Sequence, residues 1–259
     1  MDIFVVSRGR WDRCPTLESL PSVKGRATLV LHSDEKEKYQ TLVDQHGCNV
    51  IHFPYNTIGE KRLMIAQNFA GSKFVMLDDD LTFYKRKSET DYHLRFLEPQ
   101  EDEFLFNEIS AALEHYAHVG VSAREGQNRL PFPHVLNQRY MRVLGYQKDE
   151  YLACDHTAEY MEDFDIALQM LKRNLPSYIL TDYAQNQSGT QAKGGCSLHR
   201  TLEKHEAAAR ALQARHPDCV KLRQKANKTG GEFGSRLEVT IFWKRALGAH
   251  TSGNVSEAI

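Results

Sequence analysis

Val75-Met76-Leu77-Asp78-Asp79-Asp80-Leu81-Thr82-Phe83 sets three consecutive carboxylates directly after a hydrophobic run, Lys73 to Leu77, that reads as a buried strand. Adjacent aspartates repel one another unless a cation or a set of donors compensates them. In an open α/β sheet the ligand crevice lies beyond the carboxyl ends of the strands, which is where this turn falls. A divalent ion bridging a diphosphate takes hard oxygen ligands, one or two carboxylates with phosphates and waters completing the shell. The competing reading is an acidic turn that only caps the next element.

Upstream of this stretch, short β-branched runs alternate with helical patterns. Asp2 to Ser7, Ala27 to His32 and Asn49 to Phe53 read as strands, and Glu35 to His46 and Ile58 to Ala70 as helices. That alternation predicts an α/β fold with a mostly parallel, Rossmann-like sheet flanked by helices. Downstream, a charged loop from Lys85 leads into an amphipathic helix from about Asp102 to His118. Strand-like pieces follow at Val119 to Ser122, Val135 to Val143 and Tyr178 to Thr181. Between the last two, Glu159 to Lys172 is read as a helix whose Met161, Phe164, Leu168 and Leu171 form one core-facing stripe.

The remainder differs in texture. Gln185 to Arg200 has the glycines of a lid, Thr201 to Arg215 is an alanine-rich helix, and Lys221, Arg223, Lys225 and Lys228 form a cationic run without an acid inside it. The expected organisation is a catalytic domain over 1–185, with a nucleotide-sugar half (1–84) and an acceptor half (85–185), and a basic helical addition over 186–259 packed on the same domain.

Composition narrows the function classes. The 259 residues are 41% hydrophobic and carry 33 basic against 34 acidic side chains, which supports a sizeable core and excludes both disorder and a generally cationic coat. The basic charge is concentrated late, with 11 basic and 6 acidic residues from Arg200 onward. No window approaches the ~20 apolar residues of a membrane span. MDIFVVSRGRW turns polar too soon for a signal peptide, so a cytoplasmic location and no membrane partner are expected. Cys14, Cys48, Cys154, Cys196 and Cys219 contain no CxxC pair and read as reduced structural residues.

The order of a first strand ending in Ser7-Arg8-Gly9-Arg10, a second ending at Asp34, the Ile58-Gly59-Glu60-Lys61-Arg62 helix start and a strand closed by D-x-D resembles the GT-A fold of nucleotide-sugar glycosyltransferases over about residues 2 to 180. The resemblance implies that Ser7, Arg8 and Asp34 hold the base and ribose, that the basic residues before the turn meet the diphosphate, and that the turn binds ribose and a divalent metal. Asp78 and Asp79 are then donor contacts, and Asp78 and Asp80 the metal ligands. Arg8, Arg10, Lys61 and Arg62 suit the diphosphate on physical grounds too, because guanidinium and ammonium groups make charge-assisted bonds to phosphate oxygens.

By the same resemblance the pair Glu162-Asp163 supplies the general base, with Asp163 preferred and Glu162 the alternative. A helix N-terminus keeps such a carboxylate ionised and aimed, although acids that merely complement the helix dipole are common there. His199 is the implied further metal ligand, with His205 and His250 behind it.

The VSRGRW opening, LDDDLTF, EYMEDFDIALQML and Gly194-Gly195-Cys196-Ser197 resemble more closely the bacteriophage TET-associated glycosyltransferases, which add sugar to 5-hydroxymethylcytosine in DNA, and the related base J glucosyltransferase. What this implies is a glycosyltransferase using Mn2+ or Mg2+ to move a sugar from a UDP-sugar onto double-stranded phage DNA containing 5-hydroxymethylcytosine. A DNA acceptor needs phosphate-contacting cations, and Lys221, Arg223, Lys225 and Lys228, with Arg236, Lys244 and Arg245, are the candidates. Phe132, Tyr140 and Tyr146, beside Arg124, Arg129, Arg139 and Arg142, are candidates for the acceptor surface, with a core role as the alternative. The rival functions are a surface-polysaccharide or glycoprotein glycosyltransferase, a nucleotidyltransferase and a non-catalytic nucleic-acid-binding module.

Overall fold

A computed structural model describes residues 1–125, 130–187, 201–226 and 235–248 of the chain. Its elements in order are β1 (Asp2–Val6), α1 (Pro15–Glu18), β2 (Ala27–His32), α2 (Gln40–His46), β3 (Asn49–Phe53), α3 (Ile58–Asn68), β4 (Lys73–Asp78), β5 (Leu81–Arg86), β6 (Leu94–Phe96), α4 (Glu101–Ala112), β7 (His118–Ala123), β8 (His134–Leu136) and β9 (Val143–Gln147). They are followed by α5 (Lys148–Leu152), α6 (Glu162–Lys172), β10 (Ser177–Gln187), α7 (Leu202–Arg215), β11 (Val220–Ala226), β12 (Ser235–Ile241) and α8 (Trp243–Ala246).

The main sheet has the order β3-β2-β1-β4-β9-β7-β10-β5-β6, with β8 paired to β10. Strands β3, β2, β1 and β4 are mutually parallel, as the βαβ pattern predicts. Beyond β4 the sheet is mixed: β9 runs antiparallel to β4 and β7, while β7 and β10 are parallel. The register of β10 shifts between Leu180 and Ala184, so its first part pairs with β8 and its last part with β5. This shift brings Gln185 and Gln187 to the edge of the sheet that carries Asp78.

Strand β1 lies between two cores, and its alternation shows them directly. Ile3 and Val5 pack with Leu29, Leu31, Phe106 and Ile109 on one face, while Phe4 and Val6 pack with Ile65, Phe74, Met76, Ile166 and Met170 on the other. Helix α6 is apolar on two sides. Ile166, Ala167 and Met170 meet the sheet-side core, whereas Met161, Phe164, Leu168 and Leu171 are covered by Ala209, Leu212, Val220, Leu237 and Trp243 of the C-terminal elements. The stripe expected to face the main core is therefore the surface on which the C-terminal addition docks.

That addition is a helix plus a hairpin, not helical throughout. Lys221, Arg223 and Lys225 lie on β11, which pairs antiparallel with β12. Alternating apolar residues explain the strand: Val220 and Leu222 face α7 and α6, which leaves the intervening cations outward. Elsewhere the helix expected from Glu35 begins as a 3-10 turn, Ser33–Tyr39, before α2, and α4 ends at Ala112 so that His118 opens β7. Helix α6 begins at Glu162, with Met161 at its N-cap in the left-handed region (φ 59°). Among the described residues no helix is long and apolar enough to cross a membrane. Cys14, Cys48, Cys154 and Cys219 are buried free thiols.

Candidate functional site

The site is assembled at the carboxyl edge of β1 and β4. Thr16 in α1, fully buried, donates through Oγ1 to the Asp78 carbonyl at 2.6 Å and accepts from the Leu81 amide at 2.9 Å, while its own amide donates to the Asp79 carbonyl at 3.2 Å. The acidic turn is thereby fixed by its main chain. Its side chains separate into three environments. Asp79, 2% exposed, accepts from the Ser7 hydroxyl and from Arg10. Asp80 lies 3.0 Å from Arg10 and accepts from Gln187 Nε2 at 2.9 Å. Asp78 keeps an accessible carboxylate, 29% exposed as a side chain, and meets Arg62 at 3.2 Å.

Arg62 reaches Asp78 with one nitrogen and Glu162 with another. Two features of the chain make this possible. Thr57 caps α3 by accepting from the Glu60 amide at 3.1 Å, which sets the first turn. Gly59 then lets the segment before α6 come close: a Cβ there would lie 2.8 Å from the Ala158 carbonyl, so any side chain would push the two helix starts apart.

Electrostatics follow from this crowding. Burial pushes the Asp78 carboxyl up to about 6; Arg62 opposes the shift, and Asp80, Asp79 and Asp163 add to it. Glu162 rises to about 7, chiefly through burial, with Arg62 opposing and Asp163 and Asp78 contributing. Burial also raises Asp79 against the pull of Arg10. Burial of the Arg62 guanidinium is outweighed by Glu162 and Asp78, which raise its pKa.

The first loop is similarly tied down. Ser7 Oγ lies 2.8 Å from the Tyr39 hydroxyl, which also accepts from the Arg10 amide at 3.0 Å, and Gly9, at φ 67°, donates its amide to Glu35 at 3.0 Å. Arg8 pairs with Asp34 through two bonds of 3.1 and 3.2 Å. The Tyr55 ring is flanked by Arg8 at 5.6 Å, Lys61 at 4.8 Å and His32 at 4.8 Å. Lys61 is 1% exposed and donates to the Ser7 carbonyl at 2.8 Å, so it supports the end of β1 from inside.

The sequence marks Arg142 only as a cation beside the acceptor aromatics, and Tyr39 and Thr16 carry no signal in it; Gln185 and Gln187, expected to open the lid loop, instead close strand β10. Arg142 sits at φ 68° with a Val143 amide to Met141 carbonyl bond of 2.7 Å around it, the rare γ-turn of positive φ. Its carbonyl accepts from the Asp78 amide at 3.0 Å. Of the expected acceptor aromatics, Tyr140 and Tyr146 are buried core residues and Phe132 is 59% exposed. Tyr140 packs so closely on β7 that a Cβ at Gly120 would lie 2.5 Å from it.

Arg139 lies over the Phe164 ring at 5.4 Å. Loss of solvent around its guanidinium lowers its pKa; the charge of Asp163 opposes that shift, Arg142 adds to it, and Glu238 and Glu125 oppose it. On the hairpin's outer face Lys221, Arg223 and Lys225 stand opposite Thr240, Glu238 and Arg236. His205 is buried in α7, 3.7 Å from Glu238. His199, His250, Arg129, Lys228 and the Gly194 to Ser197 loop lie outside the described residues. Among the described residues no group of three or more His, Cys, Asp or Glu is arranged to hold a metal ion by itself. The donors at the turn are carboxylate oxygens alone, the hard ligands of a cation that phosphates and water complete.

The largely parallel sheet flanked by helices, with the acidic turn at the carboxyl end of β4, is a GT-A architecture. More particularly, the model of the family described as TET-Associated Glycosyltransferase matches residues 1–195, and the chain belongs to that family. Membership sets aside the nucleotidyltransferase and non-catalytic alternatives.

Solved structures show the same fold at low identity. Glucosyl-3-phosphoglycerate synthase from Mycobacterium tuberculosis, in complex with Mn2+, UDP and phosphoglyceric acid, is 10% identical with a TM-score of 0.53 over 93% of this chain and 86% of that one. The S. aureus TarS fragment in complex with UDP-GlcNAc is 13% identical with a TM-score of 0.52, over 83% of this chain and 66% of the fragment. No curated protein matches the chain.

Proposed function

We propose that this glycosyltransferase moves a hexose or N-acetylhexosamine from a UDP-sugar to the hydroxymethyl oxygen of 5-hydroxymethylcytosine in double-stranded phage DNA, in the cytoplasm of the host cell. The observation that carries the reading is the Arg62 guanidinium shared by Asp78 and Glu162, which holds the donor turn and the acidic helix start in one site.

Ser7, Arg8 and Asp34, beside the Tyr55 ring, form the nucleoside end of the donor site. In this reading Asp78, whose carboxylate stays accessible, and Asp80, which Arg10 and Gln187 hold beside it, take a divalent ion, Mn2+ or Mg2+, while Asp79 stays on Ser7 and Arg10. When bound, that ion supplies counter-charge to the leaving diphosphate. In this reading His199 is its further ligand.

In the transfer the acceptor oxygen forms a bond to the sugar's anomeric carbon, the carbon's bond to the diphosphate oxygen breaks, and the acceptor's proton passes to Asp163. Arg62 holds Glu162 beside Asp163, so the two acids are positioned as a unit. The acceptor base leaves the stack to reach Asp163. Phosphate contacts come from the outward cations of the hairpin and from Arg139. The family's association with TET supports hydroxymethylated cytosine as the acceptor.

UDP release from a panel of UDP-sugars tests the reading. Duplexes with 5-hydroxymethylcytosine stimulate release, and matched duplexes with cytosine or 5-methylcytosine do not. Stimulation by a polysaccharide or glycoprotein acceptor, with none by the hydroxymethylated duplex, would transfer the enzyme to the rival acceptor class.

A further inference from the structure

Of the four cations expected to meet the donor diphosphate, three are engaged on buried or part-buried groups and the fourth, Arg8, in an exposed pair. Arg8 is held by Asp34, Arg10 by Asp79 and Asp80, Arg62 by Asp78 and Glu162, and Lys61 by the Ser7 carbonyl. Arg10, Arg62 and Lys61 each neutralise or support a group that shapes the site, so drawing one of them onto a phosphate would uncover a buried or part-buried acid or the end of β1, whereas the Arg8 pair is exposed but lies at the nucleoside end, beside the Tyr55 ring.

Arg142 is held in a different way. Its main chain forms a γ-turn and accepts from the Asp78 amide at 3.0 Å, which fixes the residue beside the acidic turn. Its side chain donates to Gln185 Oε1 at 3.2 Å, and Gln185 is fully buried. Two residues further along the same face of β10, Gln187 donates to Asp80. The guanidinium is thus referenced to Asp78 through the main chain and to Asp80 through β10. Its acid partner is Glu125 at 3.2 Å, a side chain 59% exposed. An exposed ion pair exchanges readily with solvent and with competing anions, and a diphosphate offers the guanidinium fork two charge-assisted acceptors in place of one solvated carboxylate.

We infer that Arg142 is the donor-diphosphate cation of this enzyme, exchanging Glu125 for the phosphate oxygens while Gln185 keeps the fork aligned. The inference rests on the UDP-sugar reading of the donor. It also gives the unusual backbone a role: a positive φ at a bulky residue re-aims the side chain from β9 across the carboxyl edge.

Calorimetric titration of the full chain with UDP in Mn2+ tests it, with uridine as the ligand lacking phosphates. Arg142→Gly suits the positive φ, which offsets in part the loss of the Gln185 bond, and should still fold, as thermal unfolding checks. UDP should bind this variant about tenfold or more weakly, uridine should bind as to the wild type, and Arg142→Lys should recover part of the loss. Native UDP affinity in Arg142→Gly overturns the inference, as does an equal loss for uridine and UDP. A loss confined to hydroxymethylated duplex, with UDP binding intact, also overturns it and moves the residue to the acceptor. A wild-type chain that binds no UDP overturns the donor reading itself, and is told apart because the parent protein fails.

Discussion

Asp78, at the end of β4, and Glu162, at the start of α6, lie 84 positions apart in sequence and are joined by one guanidinium, that of Arg62, which meets Asp78 at 3.2 Å and also donates to Glu162. Both carboxyls are pushed up by burial, to about 6 and about 7, and Arg62 is the charge that restrains them. The pair therefore depends on Arg62 for its ionisation as well as its position.

Replacing Arg62 with Met should destabilise the protein by about 3 kcal/mol at neutral pH, because it leaves Glu162, and the part-exposed Asp78, without their partner. The two acids then take up protons more readily than in the unfolded chain, so stability should be partly recovered as pH is lowered from 8 to 5. Thermal unfolding of the variant across that range checks the sign.

Asp163→Asn should lower transfer about 100-fold or more while UDP affinity stays native, since the amide keeps the shape and cannot take the proton. Glu162→Gln should act differently, altering stability through Arg62. If Glu162→Gln alone abolished transfer and Asp163→Asn did not, the base would be Glu162.

A separate pH response comes from His118, which is fully buried between the Tyr140 hydroxyl at 2.6 Å and the Leu175 carbonyl at 3.0 Å. Burial lowers its pKa from 6.5 to about 4, with the Leu175 carbonyl opposing. The folded state therefore resists protonation that the unfolded chain accepts near 6.5. His118 contributes full stability above that value and loses it as pH falls towards 4, by about 3 kcal/mol at most. The slope of stability between pH 7 and 4.5 should be shallower in His118→Gln than in the parent, as read by denaturant unfolding.

Lys221, Arg223 and Lys225 project from one face of β11. Changing all three to Gln should weaken duplex binding regardless of sequence. The slope of log affinity against log salt should fall by about 0.9 for each phosphate that the variant no longer neutralises. UDP-sugar hydrolysis by water should be unaltered. A native salt slope would remove the hairpin from the acceptor surface.

The parallel half of the fold was legible because each of its strands is a short apolar run ended by a turn signal, and because Asp78 to Asp80 follow β4 without a break. The C-terminal strand was not. Lys221 to Lys225 alternate cation with apolar or neutral residue, a period of two that their charge obscures, and only the register with Ser235–Ile241 shows it. Helix α6 ends at Lys172 as its periodicity predicts but begins at Glu162 rather than Glu159; covered on two sides, it carries two apolar stripes, and the stripe that reads as core-facing is the one under the C-terminal addition. Around the turn, the residue types pointed to phosphate contacts, whereas the carboxylates that engage Arg8, Arg10 and Arg62 come from distant segments that no local pattern reveals. Arg142 owes its place to a γ-turn, for which its side chain gives no hint.

Transfer to DNA is tested most directly by the intact mass of a 5-hydroxymethylcytosine duplex after incubation with the protein, Mn2+ and each of a panel of UDP-sugars. The expected result is a gain of one hexose or N-acetylhexosamine for each modified base, abolished in EDTA and in Asp80→Ala, with no gain on a cytosine duplex. An unchanged mass with every donor, from protein shown to bind UDP, would contradict the DNA acceptor, and an undiminished gain in EDTA would contradict the metal.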